Sequence, residues 1–405
     1  MLSVDEALEL VLRHAAPLPA TLTPTSNALG LVLAEQVISD IDSPPHDKSI
    51  VDGYAVIAEH CSNAPVELNV LEEVTAGAVP TCAVERGTAT RIMTGAPLPP
   101  EADAVVKVEQ TETCGVEKVR ILQAPLRSGQ NIMRRATSLS RGQVVLESGK
   151  LLRAMEIGLL AEVGRDAVSV IPQPRVAVLA TGNELVNSSV VPGPGQIRNS
   201  NGPLLSALVR QCGAIDHDLG IALDERGALS QSISAGLELD LLVLAGGVSA
   251  GVLDLVPQVL ENLGVTRVFH KVSLKPGKPL WFGCKAKQGR PPTLVFGLPG
   301  NPVSALVSFE IFVRPALQKL RGLPPTGMAR TTGRLTKEHR QRGERPTYWP
   351  AHSAEGVTPL AWQGSGDLRT LTDANCLAFF PPGERVFAAG DEIDVFWLPG
   401  GGEAP

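Results

Sequence analysis

Two lysines in a proline-stiffened segment, Lys275-Pro276-Gly277-Lys278-Pro279, stand between two glycine-rich turns. The earlier turn lies in Leu239–Asp254, LDLLVLAGGVSAGVLD. There a run of Leu, Val and Ala, suited to a strand buried on both faces, ends at Gly246-Gly247 and continues through Ser249 and Gly251 to Asp254. Val256–Leu263 follows with helical spacing. The later turn, Gly300-Asn301-Pro302, follows the strand-like Thr293–Phe296, with Pro302 near the first turn of an expected helix, Val303–Leu320. A strand, a glycine-rich turn and a helix start together present outward N–H groups and a partial positive charge. Ammonium groups on a stiff loop beside two such turns suit a multiply charged oxyanion.

Three acids follow or precede loop glycines: Asp52 before Gly53, Glu184 after Gly182 and Asp254 after Gly251. They are candidates for metal binding or general acid–base work. A carboxylate at the mouth of an anion site repels the anion unless Mg2+ bridges it to phosphate oxygens. Turn or helix-capping duty accounts equally well for Asp52 and Asp254. Thr94, in RIMTGAP, is a hydroxyl at a turn, and Arg134-Arg135 offers guanidinium groups to a phosphate or to solvent. No Walker A loop, G-x-G-x-x-G or nucleophile–base pair with a local signature occurs.

The elements that must position these groups change character along the chain. Ser3 and Glu6 form a capping-box pattern before a helical Val4–His14, and Ala28–Val37 also reads as helix. A polar loop leads into a short strand, Tyr54–Ile57. Short β-like runs then alternate with Gly/Pro turns: Glu67–Val70, Thr88–Ile92, Ala104–Glu109, Lys118–Ile121 and Val144–Val145. Helical spacing returns in Arg153–Val163. From Pro174 strands and helices alternate, which predicts a doubly wound, mostly parallel sheet. Ligands bind such sheets at the carboxyl ends of the strands, where residues 181–184, 246–254 and 297–302 fall. After Gly322-Leu323-Pro324-Pro325 the last stretch reads as a small β domain. The expected organisation is a multidomain α/β plus β chain. It has a discontinuous linking domain (1–43 and 142–172), a β-rich insert (44–141), an α/β domain (173–324) and a C-terminal β domain (325–405).

Composition excludes several classes of function. Only 4% of the 405 residues are aromatic, so Ala, Val, Leu and Ile must build the core. A net charge of −6 argues against nucleic acid or a membrane surface as partner. The six cysteines are scattered without a C-x-x-C pair, which predicts free thiols in a reducing compartment, and no H-E-x-x-H marks a zinc site. The N-terminus lacks a basic, apolar leader and no run of about 18 apolar residues occurs, so the expected location is the cytoplasm.

Seven ordered motifs, spread over nearly the whole chain, carry a resemblance: PPHDKSIVDGYA (44–55), RIMTGAPLP (91–99), ATGNEL (180–185), GGVSAGVLD (246–254), LKPGKPLWFG (274–283), FGLPGNPVSA (296–305) and GSGDLRTLTDAN (364–375). As a set they resemble the MoeA/gephyrin-E family of molybdopterin molybdenumtransferases. The resemblance implies four domains, an elongated homodimer and a site in the cleft between subunits. It also implies a reaction, in which molybdate enters the dithiolene of adenylylated molybdopterin, the adenylate is cleaved and AMP leaves, with Mg2+ as helper. The implied partners are these two substrates, the upstream molybdopterin adenylyltransferase and acceptor molybdoenzymes.

Carried over by position, Asp254 is the expected metal-binding acid, with Ser249 near the phosphates. Lys275 and Lys278 would hold molybdate or phosphate, and Arg345 and Ser365 would complete the oxyanion pocket. Asp52 and Thr94 would come from the neighbouring subunit's half of the cleft, and Glu184, Asp224, Pro299 and Pro302 match further family site positions. The chain departs from the family pattern in places. Ala136-Thr137-Ser138 follows Arg134-Arg135 where acids are usual, Val252, Leu253 and Pro257 stand in and after the GGVS loop, and His46 and Lys48 replace an aromatic and an amide. These departures bear on metal handling and on whether the chain is a specialised paralogue. Two other readings stand beside this one: a nucleotide-processing or adenylyltransferase relative sharing only the α/β domain, and a gephyrin-like scaffold. The motifs at 44–55 and 91–99 speak against the first.

Overall fold

The structure is a computed structural model that describes residues 1–115, 117–248 and 255–400. Ser249, Gly251, Val252, Leu253 and Asp254 therefore lie outside the described residues. The chain forms two compact units, Met1–Ala34 with Gly149–Arg153 and Ala167–Pro405, and Glu35–Ser148 with Ala154–Asp166.

The first unit is built on a six-stranded sheet in the order Ile215–Ala222, Arg175–Thr181, Leu241–Ala245, Arg290–Leu298, Trp281–Lys287, Thr266–His270. Its first four strands pair in parallel and the last two antiparallel, so an antiparallel edge adjoins the expected parallel layer. Successive side chains of a strand point to opposite faces, and here both faces are covered. Val176, Val178, Leu241 and Val243 join one core with Leu205 and Val209 of helix Asn201–Gln211. Ala177, Leu179, Leu242 and Leu244 join another with Leu229 and Ile233 of helix Arg226–Leu237 and Leu260 of helix Leu255–Asn262. Each fully buried Val, Leu or Ile among these stabilises the sheet by about 1.5–3 kcal/mol.

Two expectations fail locally. The stretch Ala28–Val37 is not helical: Gly30 takes a left-handed φ of 77°, and Val32–Leu33 pairs instead with strand Ala167–Ile171. Burial of both Val32 and Leu33 favours a strand over the helix their spacing suggested. The single helix expected over Val303–Leu320 is three segments, Pro302–Ser308, a π-turn Phe309–Val313 and Arg314–Leu320. Pro315 has no N–H for the carbonyl four residues back and its ring crowds that carbonyl, so the wider turn absorbs the defect.

A five-stranded antiparallel sheet, Arg330–Arg334, Glu392–Trp397, Cys376–Phe380, Thr347–Ser353, Val357–Pro359, follows in the same unit. It is tied to the lysine segment through backbone: Lys275 N donates to Pro346 O at 2.9 Å and Tyr348 N donates to Lys275 O at 2.8 Å.

The second unit holds another six-stranded sheet, ordered Ala104–Lys107, Gly53–Val56, Thr88–Ile92, Val66–Val74, Lys118–Ile121, Thr111–Thr113. Gly53 is required where its strand runs between two partners, because a Cβ there would meet Val106 O at 1.8 Å. Among the described residues no helix is long and apolar enough to cross a membrane.

Candidate active site

Three neighbouring parallel strands of the first unit end in turns that share one edge. Arg175–Thr181 runs into Gly182–Glu184, Leu241–Ala245 into Gly246-Gly247, and Arg290–Leu298 into Pro299-Gly300-Asn301. Gly246 and Gly247 have φ of 98° and 64°, and a Cβ on Gly246 would lie 2.5 Å from Thr181 O. No other residue type fits that crossing.

A cavity of about 280 Å³ opens among these turns, and Glu184 and Asp224 both line it, with Thr181, Asn201, Gly246 and Pro299. Asp224 N donates to Asn183 Oδ1 at 3.0 Å, which draws the loop carrying Asp224 toward the loop carrying Glu184. Thr181 Oγ1 and Asn201 Oδ1 are buried and have no hydrogen-bond partner among the described residues. Beyond Pro279 and Pro299, which line both spaces, lies a second pocket of about 490 Å³. Lys275, Lys278, Arg345 and Ser365 line it together with Trp349 and Trp362. Among the described residues its wall holds no carboxylate, and none of its three cations forms an ion pair. Uncompensated charge of this kind attracts an anion. Arg345 is aimed by its NH1, which donates to Leu274 O at 2.9 Å.

The sequence-derived residues of the first unit thus fall into two adjoining pockets. Glu184 and Asp224 line one, Lys275, Lys278, Arg345 and Ser365 the other, and Pro299 lines both. Pro302 opens helix Pro302–Ser308. Asp52 and Thr94 lie in the second unit and meet there: Thr94 N and Oγ1 each donate to Asp52 Oδ1 at 2.7 Å. Arg134 and Arg135 are engaged by acids within that unit, Arg134 NH1 with Asp47 at 2.6 Å and Arg135 Nε with Asp42 at 2.6 Å. Sequence reasoning missed Asn201 and the two tryptophans. Asn201 sits in an Asn/Ser-rich helix start, which was the available signal. Trp349, in strand Thr347–Ser353, and Trp362, in the loop after strand Val357–Pro359, come from separate segments and carried none.

The donor chemistry can be set against Mg2+. Among the described residues no three acidic, His or Cys side chains cluster as a ready-made metal site. Mg2+ is usually held by one or two carboxylates, waters and substrate phosphates. The cavity with Glu184, Asp224 and the Thr181 hydroxyl, which has no partner among the described residues, offers that all-oxygen set, so these residues fit the ion.

Comparison with known proteins agrees with this layout. Residues 2–164 match "MoeA N-terminal region (domain I and II)", residues 177–319 match "Probable molybdopterin binding domain", and residues 332–398 match "MoeA C-terminal region (domain IV)". A molybdopterin molybdenumtransferase of a Nostoc species is 38% identical over 92% of this chain and 87% of its own. Molybdopterin molybdenumtransferase 2 of Mycobacterium tuberculosis is 36% identical over 98% of this chain and 100% of its own. The crystal structure of a molybdopterin biosynthesis MoeA protein from Pyrococcus horikoshii superposes with a TM-score of 0.83 at 32% identity, covering 98% of this chain and 99% of that one. Matched from near its first residue to near its last, and by relatives of its own length, the chain belongs to the MoeA family.

Proposed function

We propose that this chain is a molybdopterin molybdenumtransferase acting in molybdenum cofactor biosynthesis. It inserts molybdate into the dithiolene of adenylylated molybdopterin and releases AMP. The observation that carries the reading is the pair of adjoining pockets, one cationic and without acids among the described residues and one lined by two carboxylates, in a chain 36–38% identical to enzymes of that name.

In this reading the cationic pocket takes the tetrahedral oxyanion. Lys275, Lys278 and Arg345 neutralise it, and the Ser365 hydroxyl adds a hydrogen bond. The adenylate's phosphates lie in the cavity lined by Gly246 and Gly247. Pro279 and Pro299, common to both walls, hold the two substrates side by side, and this proximity supplies much of the rate. Glu184 and Asp224 would hold Mg2+ together with Asp254. The ion would neutralise phosphate charge as the adenylate bond breaks. Asp52, kept ionised by Thr94, would act from the neighbouring subunit of a homodimer.

The test is AMP release from adenylylated molybdopterin by purified protein, with and without molybdate and Mg2+. Molybdate-dependent release that Asp254→Ala abolishes is the expected result. A folded wild type that releases no AMP under any of these conditions overturns the reading.

A further inference from the structure

We propose that Asn201 and Asn301 are positioning residues that join the two pockets, so that a nucleotide in the Glu184–Asp224 cavity tightens the neighbouring pocket on its oxyanion. The inference rests on the functional reading above and adds to it the connecting groups. Asn201 begins helix Asn201–Gln211, is 9% exposed and lines the carboxylate cavity. Its Nδ2 donates to Gly300 O at 2.7 Å. On the next residue, Asn301 Nδ2 donates to Ser365 Oγ at 2.8 Å, and Val303 N donates to Ser365 O at 3.1 Å. Asn301 and Ser365 line the cationic pocket, which Asn201 does not reach. The Gly300-Asn301 turn is therefore held by a side chain from one cavity and itself holds a hydroxyl in the other.

Two local rules are broken along this path. An Asn at a helix N-cap ordinarily turns its side-chain oxygen onto the first free N–H groups of its own helix. Asn301 occupies that position before Pro302–Ser308 yet makes no such bond, and its amide is committed to Ser365 instead. Asn201 keeps a buried Oδ1 without a partner among the described residues, although a buried acceptor left unpaired is costly. Departures of this kind concentrate where function, not stability, selects the residue. A ribose hydroxyl or an exocyclic amine entering the cavity would complete Oδ1. Asn201 is then fixed at both ends of its carboxamide, with the Gly300 carbonyl and the Asn301–Ser365 contact. The oxyanion meets partners that are already ordered, so less freedom is lost when it binds.

Calorimetric titration of sodium molybdate into wild type and Asn201→Ala, with and without saturating AMP, tests this. In wild type AMP tightens molybdate binding by about 5- to 150-fold. In Asn201→Ala that ratio falls to about one, and the ratio, not the molybdate affinity without AMP, is the readout. By reciprocity molybdate tightens AMP binding by the same factor in wild type, and Ser365→Ala removes that molybdate-dependent factor. If Asn201→Ala folds poorly, Asn301→Ala takes its place and the AMP-dependent ratio is the readout, because a purely structural lesion weakens both titrations and leaves their ratio intact. A wild-type ratio of one, or a ratio unchanged in the variants, overturns the proposal. A folded wild type that binds neither AMP nor molybdate overturns the functional reading beneath it as well.

Discussion

Asp52 Oδ1 accepts two hydrogen bonds from Thr94, from N and from Oγ1, across a separation of 42 residues. The pairing of Gly53 with Ile92 in adjacent strands brings the two turns together. The backbone N–H first, and the hydroxyl second, hold the Asp52 carboxyl below its ordinary pKa. At neutral pH the group is an ionised acceptor, suited to take a proton or face a cation, and unsuited to give a proton up.

Asp52→Asn keeps the shape and removes the charge. If Asp52 works as a base or as a charge in turnover, AMP release falls by about 10²- to 10⁴-fold with the melting temperature little changed. Thr94→Val removes the hydroxyl and keeps the N–H donor, so its effect is smaller and the Asp52 pKa moves part of the way back up, which carboxyl NMR titration reads. Wild-type turnover in Asp52→Asn would remove this residue from the chemistry.

If the cationic pocket of Lys275, Lys278 and Arg345 takes the oxyanion, loss of one of these cations weakens molybdate binding. A hydrogen bond to a charged group contributes about 1.5–3 kcal/mol, so Lys275→Ala or Lys278→Ala raises Kd about 10- to 150-fold. Lys278 is exposed and Lys275 half-buried, so added salt erodes the contribution of Lys278 more. Arg345→Lys also weakens binding, because an ammonium cannot bond Leu274 O and the ligand in the fork geometry of a guanidinium. Titration at two ionic strengths checks all three, and equal affinities across the set would place the oxyanion elsewhere.

Glu310 and Arg314 form an ion pair buried in the π-turn region, with NH2 donating to Oε1 at 2.8 Å and Nε donating to Oε2; the two side chains are only 1% and 8% exposed. Arg314→Met leaves an unpaired buried carboxylate and costs about 3–5 kcal/mol by urea unfolding, whereas Glu310→Leu with Arg314→Met is near neutral or stabilising. A single variant as stable as the double would mean that the pair carries little energy.

Much of this architecture is legible in the residues. The all-apolar Leu241–Ala245 reads as a strand buried on both faces and the glycines after it as a turn, and the structure has both; the close approach of Thr181 to Gly246 shows only in the fold. The positions of Glu184, Lys275 and Lys278 follow from strand ends and proline punctuation. What escaped reading depends on partners distant in sequence. Val32–Leu33 is a strand because Ala167–Ile171 lies beside it, and its own spacing does not say so. Asn301 looks like a helix cap until Ser365 is placed 2.8 Å from its amide. Ser249 and Asp254 of the GGVSAGVLD motif lie outside the described residues, so their roles rest on the motif alone.

His339 gives the C-terminal sheet an acid sensitivity of known sign. Its ring stacks on Phe380 at 3.8 Å between centroids and meets the edge of Trp349 at 4.7 Å, with Nε2 buried and unpartnered among the described residues. Burial first, then the charges of Lys275 and Lys337, push its pKa down from 6.5 to about 4. Between those values the unfolded chain binds a proton that the folded chain refuses, so stability falls as pH drops through the window and levels off below it. By pH 4.5 the loss from this one group is roughly 2–3 kcal/mol relative to pH 7. His339→Phe keeps the stack and deletes the proton site. Urea unfolding at pH 7 and pH 4.5 should therefore show the wild type losing about that much more stability than the variant. Parallel losses in the two proteins would mean that His339 is protonated in the fold without penalty.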